Sequence, residues 1–62
     1  MEEVTPKAMR CIIGSCPQIH QTEESYFVVG EKVDPAEVGL SGKVGESEVL
    51  IKVPKKLIDD KE

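Results

Sequence analysis

Sixty-two residues make one small domain, which buries only about 60% of the surface its unfolded chain exposes. A net charge of −4, from twelve acidic and eight basic residues, weighs against nucleic acid or an anionic membrane surface as the partner of a monomer. No apolar run approaches the ~20 residues of a membrane span, and the only aromatics are Tyr26 and Phe27. The core must therefore come from Val, Ile and Leu, with a thin margin over chain entropy that favours self-association or a stapling bond.

In chain order, residues 1–8 show charge, Thr5-Pro6 and no periodicity, and are expected as a flexible arm. The stretch "MEEVTPKAM" lacks the charged and apolar regions of a signal peptide, so a soluble cytoplasmic protein with reduced thiols is expected. "MRCIIG" reads as a short strand or the lead into one, broken at Gly14-Ser15, and Pro17 removes a backbone donor. "QIHQT" and "YFVVG" are the two clearest extended runs. The polar "TEES" between them predicts an antiparallel hairpin with a four- or five-residue loop. Gly30 marks a bulge or strand end.

"DPAEVGL" predicts one or two helical turns: Asp34 caps, Pro35 suits the first helical position, Glu37 completes a capping box, and Gly39 ends it. "SGKVGE" is a loop. "SEVLIKV" alternates, with Val49, Ile51 and Val53 on one face and Glu48, Leu50 and Lys52 on the other. Pro54 ends that strand and opens a short helix, "PKKLI", before a solvated tail over residues 59–62. The sum is a mainly β (small α+β) domain over residues 9–58: a three- to four-stranded antiparallel sheet with one or two short helical turns. So little helix leaves one sheet face partly open, a second reason to expect a dimer.

"CIIGSCPQIH" gathers both cysteines and the single histidine, and it supports three readings. Cys11 and Cys16 can be small buried apolar residues, with His20 on the strand surface. They can instead be zinc ligands together with His20. However, a structural site takes four ligands, and on a straight strand the Cα atoms of Cys16 and His20 would lie about 13 Å apart. Third, a disulfide can close across Gly14-Ser15, as a redox element more than a staple, because so short a loop constrains little of the unfolded chain.

A nucleophilic triad of Cys16, His20 and Glu23 would crowd eight residues of one hairpin and leave no cleft, so an enzyme is not expected. "GLSGKVGES" lacks the spacing of a phosphate-binding loop.

The segment from Gly14 to Ile58 resembles a group of small uncharacterised bacterial proteins sharing C-P-x-[IV], T-[DE], a Y-x-V-V strand, G-L and a closing [IV]-x-[IV]-P-x-x-L. Cys16, Pro17, Ile19, Thr22, Glu23, Val28, Val29, Gly39, Leu40, Ile51, Val53, Pro54 and Leu57 carry the match, over about three-quarters of the chain. The group has no established activity, so the resemblance implies no catalytic residues. Its pattern includes Cys16 and Pro17 but neither Cys11 nor His20.

"VLIKVPKKLIDD" is similar to the strand–Pro–short-helix piece of AbrB-type swapped-hairpin regulators and antitoxins. That resemblance implies interlocked β-dimers, and DNA binding only if a dimer gathers Lys52, Lys55 and Lys56 on one face. In that family the piece lies near the N-terminus.

The leading expectation is a non-enzymatic binding or regulatory protein that meets a protein partner or a second copy through a sheet face or edge, with Tyr26, Phe27, Leu50 and Lys52 near the contact. A metal- or redox-responsive protein using Cys11, Cys16 and His20 is the alternative, with zinc as its cofactor. An AbrB-like DNA-binding regulator is the third.

Overall fold

The computed structural model describes every residue except Ile13 and Ser15. The chain is mainly β, as expected. Among the described residues its strands fall into two antiparallel sheets, accompanied by one short helix and two 3₁₀ turns. Strands β1 (Glu2–Glu3), β2 (Gln18–Gln21) and β3 (Tyr26–Val29) form the first sheet in the order β1-β2-β3. Strands β4 (Glu31–Val33) and β5 (Leu50–Lys52) form the second, and helix α1 spans Lys55–Asp59.

The hairpin forms where alternation and turn chemistry place it. Ile19 lies opposite Val28 and His20 opposite Phe27, while the Thr22 N–H donates to the Ser25 carbonyl at 2.9 Å to close the loop. One residue, Gly30, separates β3 from β4. A Cβ there would stand 2.5 Å from Val53 Cγ1 and 2.8 Å from the Lys52 carbonyl oxygen. Only glycine admits the end of β5 so close to the strand as it passes from one sheet to the other. Strand β4 pairs Glu31 with Lys52 and Val33 with Leu50, a strand that Gly30 and the charges of Glu31 and Lys32 conceal in the sequence.

The N-terminal residues, expected as an arm, lie against the first sheet. Glu2 and Glu3 pair with Gln21 and His20, the Val4 N–H donates to the Ile19 carbonyl at 2.8 Å, and Val4, Thr5 and Pro6 are buried. The Thr5 hydroxyl accepts the Ile19 N–H at 3.0 Å and donates to Glu3 Oε2 at 2.9 Å. A buried threonine thus substitutes for the ladder bond that a third β1 residue would have made. The C-terminal tail is tied down as well: the Glu62 N–H donates to the Val4 carbonyl at 2.8 Å, and the Glu62 side chain accepts the Lys7 N–H at 2.9 Å.

Val4, Ile19 and Leu57 are the buried apolar core, with Met9, Val28 and Val53 against it. Pro54, at φ −61°, leads into α1, which lowers Leu57 onto the sheet. Asp34 caps as expected, accepting the Ala36 N–H at 3.0 Å, and Gly39 closes the turn at φ 74°. With only Pro35–Val38 between those two stops, the turn is 3₁₀ rather than α. "MRCIIG" supplies the end of a 3₁₀ turn (Lys7–Met9) and a loop instead of a strand. Strand β5 is shorter than its alternation suggests, leaving Val49 65% exposed.

Candidate functional site

Cys11 and Cys16 are joined by a disulfide across a loop whose ends lie 6.0 Å apart at Cα. Of the three readings of this cluster, the bridge is the one realised. Cys11 is exposed and Cys16 half-buried, so neither is a core residue. Zinc ligation by both sulfurs would require the reduced, thiolate form of this pair. His20 lies on β2, where its Nε2 sits 2.9 Å from Gln18 Oε1. Among the described residues, no three His, Cys, Asp or Glu side chains are placed to hold a metal ion.

The bridge stands beside an open groove of about 720 Å³. Cys16, Pro17, Val29, Gly30, Lys52 and Val53 line it. It lies where β2 begins, β5 ends and the strand crosses between sheets. Lys52 Nζ, at its rim, is 3.6 Å from Glu31 Oε1, with both side chains largely exposed. Such a pair contributes little to stability and leaves both charges within reach of a partner.

The second feature is the margin of the first sheet. Strand β3 is terminal in the order β1-β2-β3, so among the described residues no strand pairs with its other side. Its side chains are apolar, yet Tyr26, Phe27 and Val29 are 55%, 48% and 52% exposed. Phe27 and Val29 occupy one face with Gln18 and His20 of β2, opposite the face that carries Ile19 and Val28 into the core. Tyr26, on the core side, has the Lys61 ammonium 5.5 Å from its ring centre.

Of the residues expected at a contact surface, Tyr26 and Phe27 therefore lie on the edge strand β3. Leu50 and Lys52 lie on β5 in the other sheet, Leu50 half-buried and Lys52 exposed. The groove links the two sets through Val29 and Lys52. Lys55 and Lys56 are exposed on α1, followed at once by Asp59 and Asp60, so the helix presents both signs of charge. Sequence reasoning missed the groove, because it depends on the close approach at Gly30. Comparison with protein-family models, curated proteins and solved structures finds no match. Among the described residues no helix is long and apolar enough to cross a membrane.

Proposed function

We propose that this chain is a small non-enzymatic binding module that takes up an extended polypeptide segment along the free edge of β3. The observation that carries this reading is an edge strand, "YFVV", that shows three large apolar side chains to solvent without the lysine, proline or bulge that usually guards such an edge. Backbone hydrogen bonds from the added strand supply affinity, and Phe27 and Val29 supply side-chain contacts. Hydrogen exchange tests it: the amides of β3 that point away from β2 should slow when a partner strand binds. Fast exchange of those amides under every binding condition would remove the reading.

The disulfide favours a second reading, in which the loop responds to redox state. Cys16 lines the groove, so opening the bridge would change the groove's shape. Thiol titration before and after mild reduction, with spectra of groove residues, tests this. Unchanged Val29 and Val53 signals on reduction would remove it.

A further inference from the structure

We infer that the strand added to β3 is β3 of a second copy of this chain, paired antiparallel about a two-fold axis through Val28. This inference rests on the strand-addition reading and names its partner.

The backbone directions come first. Both polar groups of Ile19 are engaged on the β1 side, its carbonyl by the Val4 N–H and its N–H by Thr5 Oγ1. Strand groups alternate, so Gln18 and His20 direct theirs toward β3, where they meet Val29 and Phe27. The Thr22–Ser25 bond follows the same alternation. Val28 and Tyr26 are then left with N–H and C=O directed at the unoccupied edge, and the alternation carries on to Gly30.

Symmetry restricts the register. Two strands side by side and antiparallel are related by a two-fold axis perpendicular to the sheet. Each face therefore stays on its own side, and the axis must pass through a residue paired with itself. With Val28 on the axis, its N–H and C=O bond reciprocally to Val28 of the second copy. Tyr26 then faces Gly30, an aromatic across from a glycine, and Phe27 faces Val29, an aromatic across from a β-branched residue. Each of these pairs occurs twice.

Placing Phe27 on the axis would instead pair Phe27 with itself and Tyr26 with Val28, and placing Val29 there would pair Val28 with Gly30, so cross-linking between the copies reports which register forms.

The exposed area leaves room for a partner of this size. The chain exposes 5124 Å², whereas a folded monomer of its 6.8 kDa mass exposes about 4,000 Å². The excess of roughly 1,100 Å² exceeds the ~800 Å² that each partner gives to a stable interface. The radius of gyration, 12.9 Å, also exceeds the ~10.6 Å of a compact chain of this length.

Sedimentation equilibrium of the whole chain, combined with cysteine cross-linking, tests the inference. Wild type should sediment at twice the chain mass. Phe27→Lys, at an exposed position whose fold is checked by circular dichroism, should weaken association by roughly ten-fold or more, because symmetry enters the change twice. Under mild oxidation Val28→Cys should form a covalent dimer faster than Phe27→Cys, with mass mapping to show that the Cys11–Cys16 bridge is intact. A monomer from micromolar to near-millimolar concentration overturns the inference, and so does faster cross-linking at Phe27→Cys.

A synthetic peptide of residues 24–32, added to a monomeric protein, separates the two levels. Slowed exchange at Tyr26 and Val28 would leave strand addition standing with another partner. Unchanged exchange would remove both.

Discussion

Thr5 and Gly30 show how much of this fold hangs on single side chains, or on the lack of one. Thr5 is fully buried and satisfies the Ile19 N–H, so Thr5→Val keeps the shape and strands a donor. That change should lower unfolding free energy by about 1–3 kcal/mol in a denaturant titration. Gly30→Ala would drive a methyl against Val53 Cγ1 and the Lys52 carbonyl, and a loss of about 1–3 kcal/mol is expected. Gly14→Ala, with nothing within 4 Å of the added carbon, is the control and should stay within about 0.5 kcal/mol of wild type. Equal effects at the two glycines would contradict the crossing described at Gly30.

Among the elements, α1 and the disulfide loop make opposite predictions. The helix contributes one fully buried side chain, Leu57. Leu57→Ala should cost about 2–5 kcal/mol, a large part of what a chain this small can hold, and thermal melting should show a much lowered or absent transition. Reducing Cys11–Cys16 frees a loop of only a few residues, worth about 2 kcal/mol at most on chain-entropy grounds, so the reduced chain should still fold and melt cooperatively. Loss of the β signal in circular dichroism on reduction would show that the loop carries more of the fold than its length implies.

These elements also mark what the sequence made readable. Signals confined to a few adjacent residues survived: the Ile19–Val28 hairpin, the Asp34 cap, the Gly39 stop and the Pro54 transition into α1. Features that need distant partners did not. Strand β1 is two glutamates with no periodicity of their own, made a strand by Gln21 and His20. Strand β4 exists because Leu50–Lys52 lies beside it. The bridge was one of three open readings, since spacing allowed it without choosing it. Tyr26 and Phe27, expected near a contact, are exposed on the end strand β3, because the order β1-β2-β3 leaves them at a sheet margin. The groove was not legible, because it forms only where residues 16–17, 29–31 and 52–54 meet.

At the scale of the whole molecule, the balance of buried and exposed surface governs behaviour. Among the described residues the buried side chains are those of Val4, Thr5, Pro6, Ile19 and Leu57, a slight core, while Tyr26, Phe27, Val29, Val38, Leu40 and Val49 face solvent. A chain so arranged gains by covering its open strand, and pairing with its own copy would turn two three-stranded sheets into one of six strands. Stability should then rise with protein concentration, as mass action requires of a folded dimer. The most direct measurement is sedimentation equilibrium over a wide concentration range, with amide exchange followed at Tyr26 and Val28 on the same samples. Twice the chain mass, with both amides slowed in the dimer and released on dilution, is the predicted result. A single chain mass throughout, with both amides exchanging freely, would contradict it.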